Sequence, residues 1–135
     1  MNQGRLIVIE GACDGVGKTT QFCLLKENLI KDGEQVITHH FPTYGTKQGA
    51  LVEEYLRGSY GTIHNLSPYF INSLYAVDRA VTWHTELASE YQQGKTVLLD
   101  RYTTSSIIYQ SAEIDNRREK EDFIHYVTDF EYHKN

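Results

Sequence analysis

The sequence predicts an α/β protein with one domain built on a parallel sheet. Three runs of aliphatic and β-branched residues, at 6–9, 35–38 and 96–99, have the composition of buried strands. The segments between them show helical spacing of apolar residues, and strands that alternate with helices pair in parallel through right-handed crossovers. The 135 residues contain no repeat, linker or low-complexity segment, so we expect a single domain over residues 1–135.

The longest predicted helix covers residues 67–93. Ser67 is a favourable N-cap, Pro68 suits the first helical position, and Gly94 is a natural stop. His84 lies on the apolar stripe of this helix, so we expect a histidine in the core or in an interface rather than a metal ligand. The stripe consists of Phe70, Leu74, Val77, Val81, His84, Ala88 and Tyr91.

Local start signals predict the shorter helices. One begins near Lys18, directly after a glycine-rich loop, and a short one covers 51–56. Another covers 103–110 and is expected to be capped by a threonine. In the last helix, Asn116 followed three residues later by a glutamate resembles a capping box.

Composition and charge narrow the classes of function. Hydrophobic residues make up 40% and charged residues 23% of the chain, and the net charge is −5, which argues against nucleic acid or an anionic membrane as the main partner. No apolar run approaches the roughly 18 residues of a membrane helix, and the polar N-terminus lacks a signal-peptide pattern. Cys13 and Cys23 form no disulfide framework, so we expect reduced thiols in a cytoplasmic protein.

A glycine-rich loop joins the first strand to the first helix. Its glycines allow backbone N–H groups to converge on phosphate oxygens, and the helix N-terminus adds unpaired donors and a partial positive charge. Lys18 would bring a full charge to the terminal phosphates of a nucleotide, and Thr19 would offer a hydroxyl to Mg²⁺. The predicted phosphate-binding residues are Asp14, Gly15, Val16, Gly17, Lys18, Thr19 and Thr20.

This loop predicts a P-loop NTPase fold, a three-layer α/β/α arrangement with three parallel strands in this chain. The loop is one residue longer than the standard motif, because Gly11 and Gly17 enclose five residues. Either Ala12 takes the place of the first glycine or the loop bulges. A plain glycine-rich turn between a strand and a helix is the alternative interpretation.

Asp100 and Arg101 directly follow the third strand. Ligands of open parallel sheets bind beyond the carboxyl ends of the strands, so both residues should lie near the phosphate loop. A carboxylate there can hold Mg²⁺, and an arginine can grip a phosphate. We therefore predict Lys18, Asp100 and Arg101 as catalytic groups, and Thr19 and Asp100 as Mg²⁺ ligands. The alternative for Asp100 and Arg101 is a surface ion pair or a helix-capping aspartate.

His39 and His40 close the second strand. A histidine pair can bind a metal ion, but neighbouring residues of a strand face opposite ways. We therefore expect one inward and one solvated histidine.

Further motifs follow the loop in a definite order. The segments are Glu10-Gly11, Asp14 to Gln21, Phe41-Pro42, Tyr75 to Arg79, Asp100 to Ser106 and Tyr109-Gln110. This order resembles the thymidylate kinase family, which transfers the γ-phosphate of ATP to dTMP, and the match spans almost the whole chain. The Phe-Pro-x-Tyr segment and residues 129–132 look most like the branch found in Gram-positive bacteria.

The resemblance implies ATP and dTMP as ligands, Mg²⁺ as cofactor, and a homodimer formed through the long helix at 67–93. Lys18 and Thr19 would bind the ATP phosphates and Mg²⁺, with Asp100 near the metal. The residues implied in the acceptor site are Asp14 at the sugar 3′-hydroxyl, Phe41, Tyr75 stacked on thymine, Arg79 donating to a thymine carbonyl, Arg101 on the acceptor phosphate, Ser105 at the base edge, and Tyr109 under the deoxyribose.

Three departures from the family pattern leave alternatives open. The loop is longer, Tyr44 stands where many members have an arginine, with Lys47 as a possible substitute, and the family continues for several tens of residues past residue 132. With three strands, the first strand should expose an open edge. The alternatives are a kinase for another deoxynucleotide or deoxynucleoside, and an inactive nucleotide-binding fragment. A regulatory GTPase is disfavoured, since no Asn-Lys-x-Asp segment is present.

Overall fold

A computed structural model describes residues 3–11 and 15–134 as an α/β structure. The strands are β1 (Arg5–Ile9), β2 (Val36–His40) and β3 (Thr96–Asp100). The helices are α1 (Lys18–Lys31), α2 (Ala50–Leu56), α3 (Pro68–Thr82), α4 (Ala88–Gln92), α5 (Thr103–Ala112) and α6 (Arg117–Asp129). A 3₁₀ turn covers Ile63–Asn65, and π-helical segments cover Trp83–Leu87 and Phe130–Lys134.

The three strands form one parallel sheet in the order β1-β3-β2. β3 lies in the centre, and its aliphatic residues 97–99 are fully buried. The register pairs Ile9 and His40 with Asp100, so the carboxyl ends of all three strands lie at one edge of the sheet. Within the described residues β1 pairs only with β3, and Leu6 on it is 41% exposed. The predicted strands and the open edge of β1 are therefore confirmed.

Two apolar clusters hold the helices in place. One cluster joins the sheet to the long helical segment and contains Phe41, Leu87, Val97 and Leu99. The other joins α5 to α6 through Ile114, Phe123 and Val127, with Ile107 packed against it. Phe41 directly follows β2, so the first cluster reaches the carboxyl edge of the sheet.

The predicted long helix forms, with a π-helical segment inside it. The Ser67 hydroxyl accepts a hydrogen bond from the Tyr69 N–H at 3.2 Å, and Gly94, with a positive φ of 86°, follows the last helical turn. The predicted inward stripe is wrong at several positions: Phe70, Val77 and Val81 are 39–44% exposed, and His84 is exposed. His84 is therefore not a core histidine.

The face of α3 that is buried carries polar side chains, which explains this error. Asn72, Asp78, Arg79 and Thr82 are all at most 2% exposed, and each is hydrogen-bonded. A polar side chain can be buried at low cost when its hydrogen bonds are satisfied. Leu74 of the predicted stripe is buried, together with Ile71 and Ala76, so hydrophobic spacing placed the inward face of this helix correctly only in part.

The remaining helix ends follow the predicted signals in part. The Asn116 side chain accepts a hydrogen bond from the Glu119 N–H at 3.1 Å, as predicted for the last helix. In α5, however, Tyr102 occupies the N-cap position and provides no side-chain cap. The predicted threonine cap of α5 is wrong, and another residue replaces it at the site described below.

Candidate active site

The described part of the glycine-rich loop leads directly into α1. Gly15 and Gly17 have φ values of 79° and 89°, a left-handed conformation that L side chains rarely adopt. Lys18 is the first residue of α1, so a strand and a helix flank the loop as predicted. Ala12, Cys13 and Asp14 lie outside the described residues. The predicted lengthening of the loop falls on these same residues.

Asp100 connects the loop to the centre of the sheet. Its Oδ1 lies 2.6 Å from the Lys18 Nζ, and its Oδ2 lies 2.8 Å from the His40 Nδ1. Burial alone would raise the pKa of the Asp100 carboxyl, but hydrogen bonds from Lys18 and His40 outweigh burial and hold this pKa below its ordinary value. Asp100 is therefore a carboxylate near neutral pH, and the predicted proximity of the loop and the β3 end is confirmed.

The two histidines of β2 behave as the strand geometry predicts. His39 is partly buried, with its Nε2 2.9 Å from the Thr43 hydroxyl, whereas His40 is exposed beside Asp100. They face different partners and do not form a metal pair. Among the described residues no group of three or more histidine, cysteine, aspartate or glutamate side chains is arranged to hold a metal ion.

Arg101 has a conformation that is uncommon for a residue with a side chain. Its φ is 68°, and its N–H donates to the Ile9 carbonyl at 3.1 Å, which ties it to the end of β1. Its Nη1 lies 3.4 Å from the Ser105 hydroxyl and 3.3 Å from the Tyr109 hydroxyl, and its guanidinium lies 5.4 Å from the centre of the Tyr109 ring. Strained backbone of this kind concentrates at functional sites.

Glu10 caps α5 from the end of β1. Its Oε1 accepts the N–H groups of Tyr102 at 2.8 Å and Ser105 at 3.2 Å, and its Oε2 accepts the Ser105 hydroxyl at 2.6 Å. A carboxylate suits this position because the first N–H groups of a helix lack partners and carry partial positive charge. Sequence reasoning gave Glu10 no role. The sequence signal that could have indicated a distant cap is Tyr102, which stands at the N-cap position and has no side chain that can cap the helix.

Asp78 fixes the loop after β2 to α3. Its Oδ2 accepts the Thr43 N–H at 2.7 Å, and its Oδ1 accepts the Thr82 hydroxyl at 3.3 Å. The loop places Phe41 and Tyr44 beside the site, and Phe41 is only 3% exposed. Sequence reasoning quoted Asp78 within a motif without giving it a role.

Tyr75 and Arg79 lie one helical turn apart on α3, at the site. Burial raises the pKa of the Tyr75 hydroxyl to about 12, so Tyr75 stays neutral and presents an aromatic ring. The Arg79 guanidinium is buried, and its Nη1 donates to the Ser106 hydroxyl at 3.1 Å. The Ser105 hydroxyl donates to Glu10 and accepts from Arg101, and Ser106 is the serine that contacts Arg79.

These side chains surround a cavity of about 750 Å³, a volume typical of small-molecule sites. Val16 is 55% exposed and does not line the cavity, and neither does Lys47. The predicted site residues that line it are Gly15, Gly17, Lys18, Thr19, Thr20, Phe41, Tyr75, Arg79, Asp100, Arg101, Ser105 and Tyr109. Residues that sequence reasoning did not assign also line it: His40, Pro42, Tyr44, Leu56, Tyr102, Ser106 and Gln110.

Comparison with known proteins identifies the family. A model of the family described as thymidylate kinase matches residues 9–125. The chain belongs to the thymidylate kinase family. This confirms the resemblance carried by the motifs, and with it the P-loop α/β fold class.

Individual thymidylate kinases show how far the similarity extends. The chain is 39% identical over 108 residues to the thymidylate kinase of Thermoanaerobacter sp. strain X514, covering 80% of this chain and 51% of that protein. It is 36% identical over 114 residues to that of Schizosaccharomyces pombe, covering 83% and 50%. The chain therefore spans about half the length of these curated relatives.

A solved structure agrees with these sequence matches. The thymidylate kinase of Candida albicans superposes with a TM-score of 0.73 at 28% identity, covering 93% of this chain and 56% of that one.

Within the part of the chain that the structure describes, no helix has the length and apolar character needed to span a membrane.

Proposed function

We propose that this chain binds ATP and dTMP and forms the phosphoryl-transfer site that converts dTMP to dTDP. The observation that supports the proposal is the cavity itself. Its wall carries the cations Lys18 and Arg101 beside the carboxyl edge of the sheet, and also carries the buried Arg79 and the neutral ring of Tyr75. One cavity thus offers groups for phosphates and groups for a neutral base.

Phosphoryl transfer depends on alignment and on neutralising charge, and the proposed roles follow from that requirement. Lys18 leaves Asp100 and pairs with the terminal phosphates of ATP, while backbone N–H groups of residues 15–20 hold the remaining oxygens. Arg101 holds the acceptor phosphate, and its backbone, with a positive φ and a hydrogen bond to the end of β1, fixes its position. Asp14 and Val16 keep their predicted places in the phosphate loop as part of the proposal.

The residues around the loop fit the Mg²⁺ ion that this chemistry uses. Thr19 and Asp100 line the same cavity, and the lowered pKa of Asp100 makes it an anionic oxygen donor. Hydroxyl and carboxylate oxygens are the donors that Mg²⁺ prefers, together with phosphate oxygens and water. Thr19 and Asp100 would hold the ion, which when bound would supply positive charge against the phosphates.

Acceptor selectivity is proposed to come from the α3 and α5 side of the cavity. Tyr75 supplies a ring for stacking on the base, Arg79 a donor for a base carbonyl, and Tyr109 a surface under the deoxyribose. Ser106 shares the base edge with Arg79, because its hydroxyl is the one in contact with the guanidinium. Ser105 contributes through its contacts to Glu10 and Arg101.

The exposed apolar side chains of α3 support a homodimer as part of this proposal. Phe70, Val77 and Val81 are separated by seven and four residues, which places them on one face of the helix. Light scattering tests this assembly.

A cytoplasmic location is proposed as well, because the described Cys23 is an exposed free thiol that fits a reducing compartment.

The proposal is tested by measuring ADP release from Mg·ATP by this chain, with and without dTMP. Release that requires dTMP supports the kinase, and a panel of other deoxynucleotides and deoxynucleosides tests the selectivity. Release independent of dTMP contradicts it. Binding of dTMP without any release indicates a nucleotide-binding fragment instead.

A further inference from the structure

Arg79 is held at the cavity wall by a glutamate that lies 52 residues further along the sequence. The Arg79 Nε donates to both carboxylate oxygens of Glu131 at 3.2 Å, and its Nη2 donates to Oε1 of the same carboxylate. Each side chain is only 3% exposed. Glu131 belongs to the π-helical segment after α6, whereas Arg79 belongs to α3, so this contact spans 52 residues of sequence.

Glu131 also has a second anchor. The Thr103 hydroxyl donates to its Oε2 at 3.1 Å, and Thr103 itself is fully buried. A buried charge is tolerated only when it is paired and hydrogen-bonded, and both conditions are met for this carboxylate. Thr103 and Arg79 therefore hold the Glu131 carboxylate from two sides.

The donors of the guanidinium can be counted. Arginine has five N–H groups, and among the described residues four of those on Arg79 have partners: two contact Glu131, one contacts Asn72 and one contacts Ser106. The remaining N–H is on Nη1, the nitrogen that donates to Ser106. Arg79 and Ser106 line the cavity, whereas Glu131 does not.

We propose that Glu131 is a positioning residue for base recognition, acting through Arg79. Its two-point contact fixes the plane of the guanidinium and leaves one N–H of Nη1 for a carbonyl of the ligand. Its charge balances the arginine, so this part of the cavity favours a neutral base over a phosphate. The inference rests on the proposed function, since it concerns how the same site selects a thymine nucleotide.

The test compares two ligands, with the base as the only part that differs between them. Affinities of dTMP and of 2-deoxyribose 5-phosphate, which lacks the base, are measured by calorimetry for the wild type and for Glu131→Gln. The amide removes the charge and places N–H groups opposite the guanidinium donors. We expect dTMP to bind about tenfold more weakly, the size of one hydrogen bond, while the sugar phosphate binds with unchanged or higher affinity. Glu121→Gln is the matched control, since it makes the same chemical change in an exposed ion pair on α6.

Two results would overturn the inference. An equal loss for both ligands would mean that Glu131 only supports the fold, and no loss for either would mean that Arg79 is positioned without it. If Glu131→Gln fails to fold, Thr103→Val removes one anchor of the carboxylate at nearly constant volume. It should weaken dTMP about threefold and spare the sugar phosphate, by the loss of part of a hydrogen bond. A wild-type chain that binds neither ligand would instead refute the proposed function.

Discussion

Replacing Glu10 by alanine should lower the free energy of unfolding by about 3 kcal/mol, because it removes the cap of α5. The carboxylate accepts two backbone N–H groups and one hydroxyl, at 2.8, 3.2 and 2.6 Å. Loss of a helix cap costs about 1 kcal/mol, and hydrogen bonds to a charged group contribute about 1.5–3 kcal/mol each. After truncation, water can satisfy part of this demand because Glu10 is only partly buried, so we take a value well below the sum.

Glu10→Gln separates the charge from the hydrogen bonds. The amide oxygen can accept both N–H groups that now reach Oε1, and the amide nitrogen can donate to the Ser105 hydroxyl. We therefore expect a loss of only about 1 kcal/mol, which is the difference between a charged and a neutral acceptor.

Urea unfolding followed by fluorescence measures both variants. The single tryptophan, Trp83, packs against the apolar cluster of the sheet and reports on its integrity. Glu27→Ala, an exposed change on α1, serves as the control. If Glu10→Ala unfolds within about 0.5 kcal/mol of the wild type, the capping argument fails, since surface changes alone give this value.

Three further changes test other parts of the site and fold. Lys18→Ala should abolish ADP release while circular dichroism stays native, and retained activity would refute the phosphate-loop assignment. Arg101→Ala should weaken dTMP binding by about 2 kcal/mol, the contribution of a charged hydrogen bond, and an unchanged affinity by calorimetry would remove Arg101 from the site. Hydrogen bonds from Arg5 and then Thr96 hold the pKa of Glu34 below its ordinary value of 4.5. The ionised Glu34 carboxylate therefore stabilises the folded state above pH 4.5. This stabilisation is lost as the pH falls through the folded-state pKa of Glu34. Glu34→Gln should therefore flatten the acid limb of the stability curve, and an unaltered limb would contradict the pairing.

The elements that sequence could predict are those fixed by neighbours in the chain. A run of β-branched and aliphatic residues predicts a strand. Ser67 and Asn116 cap helices by accepting hydrogen bonds from N–H groups two and three residues away. The phosphate loop is equally local, because glycines, a lysine and a helix start must be consecutive to surround a phosphate. Register then placed Asp100 beside Lys18, since parallel strands end at one edge.

The residues that sequence could not assign act across the fold. Glu10 reaches Tyr102 over 92 residues, Asp78 reaches Thr43 over 35, and Glu131 reaches Arg79 over 52. Each is an acidic side chain whose partner is a backbone N–H or a guanidinium that only the folded chain brings near. A spacing pattern assigns such polar residues to the surface, and for this reason the inward face of α3 was predicted wrongly at several positions. The buried acidic side chains of α3 and of the segment after α6, and the capping carboxylate that follows β1, therefore have one physical origin: each is tolerated inside the fold because partners distant in the sequence satisfy its hydrogen bonds.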